Sequence, residues 1–115
     1  MNTLYGTIKD DTLEKYKDKL HSKIFCLLLY KDPKTKDEFT YVDYDKYFVG
    51  LMKELTGLAD ILQDPSQMVE LLSVLQAAYN ESKQTPFDYK EYRKFVLDAH
   101  AILDRMEVDN HDNKG

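Results

Sequence analysis

The sequence predicts an all-α fold, an elongated bundle of about four helices, on the basis of three observations. The chain has 115 residues, which suits one domain and is too short for two. It contains seven glycines and prolines in total, whereas an average chain of this length has about 14. Apolar residues make up 43% of the sequence and recur every three or four positions, as on one face of a helix. We therefore expect a single helical domain over residues 1–115, with flexible ends at 1–9 and 108–115.

The first helix is predicted over residues 11–30. Asp10 and Asp11 offer carboxylates that can cap the free N–H groups at its start. An apolar stripe with spacings of three and four residues follows: Leu13, Tyr16, Leu20, Ile24 and Leu27. Lysines that alternate with acidic residues are expected to form its solvated face: Lys15, Lys17, Lys19 and Lys23.

Residues 24–44 leave two interpretations open. The run Ile24–Tyr30 is apolar on every face, so as a helix end it needs to be covered by other helices or by another chain. Pro33 would end that helix in a polar turn. The same run and residues 39–44 are also rich in β-branched or aromatic side chains, as in the two strands of a hairpin. The continuous stripe that begins at Leu13 favours the helix.

The second helix is predicted over residues 44–62, where apolar residues keep to one face at a period of 3.6. Gly50 and Gly57 lie inside it, and each costs about 1 kcal/mol relative to alanine. They are seven residues apart and so lie on one side of the helix. Either they let another backbone approach closely, or they are simply tolerated in a less stable helix.

The third helix is predicted over residues 65–82 and has the strongest start signal in the chain. Asp64 is the expected N-cap, Pro65 occupies the first helical position, and Gln67 completes a capping box. Between residues 68 and 79, apolar side chains then occupy most of the helix circumference. We expect this helix to be central in the bundle or to be shared between chains.

The fourth helix is predicted over residues 86–107. Thr85, Pro86 and Asp88 repeat the pattern of a cap, a proline at the first helical position and an acid two positions later. Apolar residues at helical spacing are expected to face inward: Tyr89, Tyr92, Phe95, Val96, Ala99, Ile102, Leu103 and Met106.

No pattern in the sequence specifies catalysis or metal binding. Cys26 is the single cysteine and lies in an apolar run, which indicates a buried, inert thiol in a reducing compartment. His21 and His100 have no second ligand three or four residues away, and the loop around His111 lacks the glycine and the glutamate of a calcium site. We predict no catalytic residue, no cofactor and no metal. An enzyme would require His21 or His100 to meet Cys26 or a carboxylate cluster across the fold.

Net charge, the length of the apolar runs and the first residues argue against nucleic acid and membrane as partners. Its net charge of −5 argues against nucleic-acid binding, which depends on lysine and arginine neutralising phosphates. Its longest apolar run has seven residues, whereas a membrane helix needs about 20. The first residues lack the basic and apolar regions of a secretory signal. A cytoplasmic location without membrane contact is the expectation.

Aromatic content is the strongest functional indication. The chain has nine tyrosines, five phenylalanines and no tryptophan. A buried phenol needs a hydrogen-bond partner, so tyrosine is favoured where one side is dry and the other wet. Such positions occur at the edge of an ordinary core and also at protein-binding surfaces or oligomer seams. The predicted partner-binding residues are Tyr44, Tyr47, Phe48, Tyr89 and Tyr92.

The segment Val74–Tyr79, followed by Thr85–Tyr89, resembles small helical proteins from the tail-assembly region of long-tailed phages of Gram-positive bacteria. The resemblance covers the second half of the chain. It implies a non-enzymatic tail-assembly (tape-measure) chaperone that wraps a long, apolar, helical tape-measure protein in the host cytoplasm and associates with itself as a homo-oligomer. It carries no invariant motif, so no family site residue is transferred.

A second function is compatible with the same composition. An acidic helical chain of this size can be a small regulatory or inhibitory protein that blocks a larger protein partner by charge and shape. That function would cluster aspartate and glutamate on one outer surface. A chaperone would instead present an apolar concavity to its client.

Overall fold

Four helices build the fold. The computed structural model describes residues 2–4, 6–7 and 10–106, and its helices are α1 (Asp10–Lys31), α2 (Tyr44–Ile61), α3 (Ser66–Ser82) and α4 (Tyr89–Arg105). They form an elongated bundle measuring 47 × 24 × 22 Å. The predicted all-α, four-helix architecture is confirmed.

Helix α4 runs antiparallel to both of its neighbours, α3 and α1. The Gln67 amide, at the start of α3, donates to the carbonyl of Arg105 at the end of α4 (3.2 Å). The Tyr92 hydroxyl, near the start of α4, donates to the carbonyl of Leu27 near the end of α1 (2.9 Å). Helix α3 packs closely against α4 and α2, and α4 also packs against α1. Among the helix pairs that pack side by side, α1 and α2 have the least contact, so the seam between them is the most open of these four.

The helical interpretation of Ile24–Tyr30 is confirmed, and the hairpin alternative is wrong. Helix α1 continues through this run to Lys31 because the apolar stripe from Leu13 stays on the core-facing side. A short 3-10 helix, Lys36–Phe39, follows the proline turn. The Thr35 hydroxyl ties this turn back to the carbonyl of Leu29 (2.8 Å).

Asp43 is the N-cap of α2 and accepts from the Lys46 N–H (3.1 Å). The predicted start of the third helix is wrong by one residue, because Pro65, expected at the first helical position, precedes the helix as its N-cap. Asp64, the expected N-cap, accepts from the Ser66 N–H (3.1 Å). Gln67 does not close a capping box, because its amide donates to α4 instead.

The predicted start of the fourth helix at residue 86 is wrong by three residues. Asp88, expected inside the first turn, is itself the N-cap of α4. Its carboxylate accepts from the N–H groups of both Lys90 (3.0 Å) and Glu91 (3.3 Å). One side chain thereby satisfies two of the free donors at the helix start, and the residues before it remain outside the helix.

The core is formed by apolar side chains from all four helices. They include most of the predicted inward positions, while Tyr16, Tyr89 and Phe95 are half-buried at its edge. The most enclosed members are Leu13, Leu20, Ile24, Leu27, Phe48, Leu55, Met68, Leu71, Leu75, Ala78, Tyr92, Val96, Ala99 and Leu103.

The expected solvated lysine face is wrong for one member. Lys17 is only 8% exposed, and its ammonium donates to the carbonyl of Met106 (3.0 Å) and lies 3.5 Å from that of Asp104. The last carbonyls of a helix have no partner within that helix. Lys17 therefore caps the C-terminal end of α4 from the neighbouring helix.

A short β-hairpin at the start of the chain was not anticipated from the sequence. Strands β1 (Asn2–Thr3) and β2 (Gly6–Thr7) pair antiparallel, and the Leu4 N–H donates to the carbonyl of Ile61 at the end of α2 (2.6 Å). Two-residue strands are too short to show a periodic pattern. Of the two ends predicted to be flexible, residues 1–9 thus include this hairpin, and residues 108–115 lie outside the described residues.

Candidate functional site

Two open grooves run along the sides of α2. The first, called here the α2–α3 groove, has a volume of about 420 Å³. Its walls are mainly apolar, and Val49 at its rim is 47% exposed. Its lining includes Phe48, Val49, Met52, Thr56, Gly57 and Tyr79.

The second groove, called here the α1–α2 groove, follows the open seam and has a volume of about 590 Å³. Leu58, Ile61 and the ring of Tyr16 form its apolar part. Both volumes lie within the roughly 300–1,000 Å³ range in which proteins bind apolar groups. The grooves are therefore large enough to receive side chains of another molecule.

One carboxylate organises the polar side of the α1–α2 groove. Glu54 accepts from the Lys23 ammonium (2.6 Å) and from the Tyr16 hydroxyl (2.9 Å). The pKa of Glu54 is lowered, mainly by the hydrogen bond from Lys23. The pKa of Tyr16 is raised to about 12, mainly by burial and to a smaller extent by its contact with Glu54. Glu54 is therefore ionised and Tyr16 neutral at physiological pH.

Gly57 lies between the two grooves and contributes to the lining of both. A Cβ atom at Gly57 or at Gly50 would have no atom within 4 Å beyond its own neighbourhood. Within the part of the chain that the structure describes, no backbone approaches either glycine, which favours the interpretation that they are tolerated in exposed positions. At residue 57 the missing side chain also keeps both grooves open to solvent.

Four of the five predicted partner-binding residues meet at one end of the bundle. Tyr44 lies 5.7 Å from Phe48 and 6.4 Å from Tyr92 between ring centroids, and Tyr89 lies 6.2 Å from Tyr92. Tyr47 belongs to a different group and packs edge-to-face on Tyr30 at 5.2 Å.

The same five residues differ in burial. Phe48 and Tyr92 are 1% and 0% exposed, so they are core residues of this chain. Tyr44, Tyr47 and Tyr89 are half-buried. Partner binding stays a prediction for all five. Phe48 and Tyr92 also pack in the core, and Phe48 lines the α2–α3 groove as well.

The buried phenols hold neighbouring helices together. Tyr92 donates to the carbonyl of Leu27 (2.9 Å) and accepts from the Tyr44 hydroxyl (3.0 Å), while Tyr47 donates to the carbonyl of Lys23 (2.7 Å). Burial raises the pKa of all three tyrosines, so they are neutral donors at physiological pH. The tyrosine content thus has a structural use, which sequence spacing alone did not reveal.

The two central histidines meet across α1 and α4. The rings of His21 and His100 stack with centroids 5.0 Å apart. Nε2 of His21 lies 2.6 Å from the Asp104 carboxylate, and Nε2 of His100 donates to the carbonyl of His21 (3.1 Å). They share a depression of about 360 Å³ with Cys26. The fold thus brings both histidines to the same depression as Cys26 and brings His21 to one carboxylate.

The geometry of this cluster favours a structural use. Nε2 of each ring is engaged, by a carboxylate in one case and by a backbone carbonyl in the other. Burial lowers the pKa of His100 and so favours its neutral form. Cys26 is half-buried, whereas the sequence predicted a buried thiol. Its thiol contacts the phenol of Tyr30, whose pKa is raised mainly by burial and to a smaller extent by this contact.

In the described part of the chain, no three His, Cys, Asp or Glu side chains are grouped so as to hold a metal ion, and His111 lies outside that part. None of the helices there is long and apolar enough to cross a membrane. Comparisons of the chain with protein-family models, with curated proteins and with solved structures found no match.

Proposed function

We propose that the protein is a non-enzymatic assembly chaperone that binds an apolar helical segment of a protein client in the grooves beside α2. The observation that carries this proposal is the pair of open, largely apolar grooves on the two sides of one helix. Proteins that recognise amphipathic helices take the side chains at positions i, i+3, i+4 and i+7 into such grooves. The resemblance to phage tail-assembly proteins suggests a tape-measure protein in the host cytoplasm as the client.

Co-expression with a fragment of an apolar, helical tape-measure protein tests the proposal. We expect the full-length chain to keep the fragment soluble and to co-purify with it. If the fragment stays insoluble and nothing co-purifies, the proposal is wrong.

A pair of glycine variants locates the binding site on α2. In Gly57→Tyr a ring would lie between the two grooves, whereas Gly50→Tyr places the same ring two turns away, at a residue that lines neither groove. Both positions have room for a side chain, so both variants should fold. We expect Gly57→Tyr to reduce the co-purified fragment several-fold and Gly50→Tyr to leave it unchanged. Equal capture by the two variants would place the binding site elsewhere.

Self-association is part of the proposal. Three large apolar side chains on outward faces of different helices are at least one-third exposed: Phe25 on α1 (49%), Val69 on α3 (51%) and Leu97 on α4 (38%). Such residues can be buried between copies of the chain. Light scattering over a concentration series should show a mass above 13.5 kDa, and a monomer at every concentration would contradict self-association.

An enzyme is the second candidate, because His21 and His100 line one depression with Cys26 and His21 contacts the Asp104 carboxylate. The double variant His21→Ala/His100→Ala distinguishes it from the chaperone. We expect this variant to capture the client fragment as the natural chain does, since the histidines lie outside both grooves. If the variant stays helical but no longer captures the fragment, the histidines contribute to function, and this result would argue against the grooves as the client-binding site.

A further inference from the structure

We infer that the segment bound in the α1–α2 groove is an amphipathic helix that carries acidic residues beside its apolar face. This inference rests on the proposed function and specifies the chemistry of the client at one of the two grooves. It is carried by the charges at the rim of that groove, which differ in sign from the charge of the whole chain.

The rim of the α1–α2 groove has an excess of positive charge. Lys15 and Lys19 line the groove and are exposed, and neither is in an ion pair among the described residues. The carboxylate that lines the groove, Glu54, is already bound by Lys23. Because Lys23 neutralises the one carboxylate of the lining, the two lining lysines are left without an ion-pair partner among the described residues.

This excess is specific to one groove. The charged residues that line the α2–α3 groove are Lys53 and Asp60, whose charges balance. The chain as a whole carries a net charge of −5. A positive rim around an apolar floor is therefore a local property of the α1–α2 groove, and the general acidity of the protein does not produce it.

The spacing of the rim lysines fits a helical occupant. Lys15 and Lys19 are four residues apart, so they stand about one turn apart along the same side of α1. Carboxylates one turn apart on a bound helix would face them, while its apolar side chains contact Leu58 and Ile61 on the floor. The aliphatic parts of the lysine side chains can cover the apolar edge of such a helix.

Two synthetic helical peptides with the same leucine and alanine face test the inference. One carries glutamate and the other lysine on both flanks, and binding to the full-length protein is followed by fluorescence anisotropy. At about 50 mM salt we expect the glutamate peptide to bind about fivefold more tightly, and this advantage should shrink at about 300 mM salt because the rim is exposed. A non-specific effect of the acidic chain would favour the lysine peptide instead.

The double variant Lys15→Gln/Lys19→Gln should abolish the preference for glutamate. The matched control is Lys90→Gln/Lys94→Gln, which removes two exposed lysines of the same spacing from α4 and should keep the preference. The four lysines are exposed, so both variants should fold, and circular dichroism checks this.

The outcomes separate the inference from the proposed function. If both peptides bind equally, or the lysine peptide binds more tightly, and Gly57→Tyr weakens both, the inference is wrong and the proposed function stands. If the control variant loses the preference as fully as the groove variant, the inference is also wrong. If neither peptide binds, the proposed function itself is contradicted.

Discussion

The two ends of the bundle join the same four helices by different chemistry. At one end, called here the aromatic end, α2 and α4 begin, and the rings of Tyr44, Phe48, Tyr79 and Tyr92 pack together. At the opposite end, α2 and α4 finish over aliphatic side chains and one buried lysine, Lys17. The aromatic end thus connects helices through phenols, and the opposite end does so through an ammonium group.

Both ends nevertheless follow one rule. The Tyr92 hydroxyl binds the carbonyl of Leu27 on α1, and the Lys17 ammonium binds the carbonyl of Met106 after α4. In each case a buried polar group of one helix donates to a backbone oxygen of the neighbouring helix. A buried donor or acceptor without a partner would be costly. These two bonds fix how far α1 and α4 slide along each other, while the grooves beside α2 stay open between them.

Removing the ring at the centre of the aromatic end should have the largest effect. Tyr92 is fully buried, so Tyr92→Ala leaves a cavity and should lower the free energy of unfolding by about 3–5 kcal/mol. Urea denaturation followed by circular dichroism measures this change. The control Tyr41→Ala truncates a ring that is 80% exposed and should shift stability by less than about 0.5 kcal/mol. Similar losses in the two variants would show that the aromatic end is not a core.

The opposite end should respond to loss of its buried ammonium. Lys17→Met keeps the aliphatic packing but removes the donor to the carbonyl of Met106, which should cost about 1–3 kcal/mol. Lys15→Met is the control, because Lys15 is exposed and has no ion pair among the described residues. If urea denaturation gives the two variants equal stability, Lys17 does not cap α4.

Features that depend on neighbouring residues were predictable from the sequence. The stripe from Leu13 to Leu27 locates α1 because helix periodicity is local, and Asp64 accepts from an N–H only two residues along the chain, at the start of α3. The start of α4 was misplaced because two capping patterns overlap there. Asp88 serves as the cap, since its carboxylate reaches two free N–H groups.

Features that join distant residues were not predictable in this way. Lys17 resembles its solvated neighbours in sequence, and its acceptor at Met106 lies 89 residues along the chain. His21 and His100 likewise meet only after α1 and α4 pack together. The grooves depend on how far α1 and α3 stand from α2, and the spacing of residues in the sequence does not determine that distance. The partner-binding prediction found the aromatic residues but could not separate buried Tyr92 from half-buried Tyr44.

Alkaline pH should weaken the aromatic end. Burial raises the pKa of Tyr92 and of Tyr44 above the ordinary value of 10.0, so the unfolded chain loses these protons at a lower pH than the folded chain does. Their contribution to stability is fully present below pH 10 and declines as pH rises above it. The urea midpoint should therefore fall between about pH 9.5 and pH 11, and Tyr92→Phe should reduce this fall. An unchanged fall in the variant would mean that other groups cause it.

Acid pH should act on the histidine pair instead, with the smallest effect. Burial lowers the pKa of His100 below its ordinary value of 6.5, although the carbonyl of His21 and the charge of Asp104 oppose this shift. The unfolded chain thus binds the proton first, so stability is fully present above pH 6.5 and declines as pH falls through 6.5 towards the lower pKa. The urea midpoint of the natural chain should fall more between pH 7.5 and about pH 5.5 than that of His100→Gln. Equal falls would remove His100 as the source.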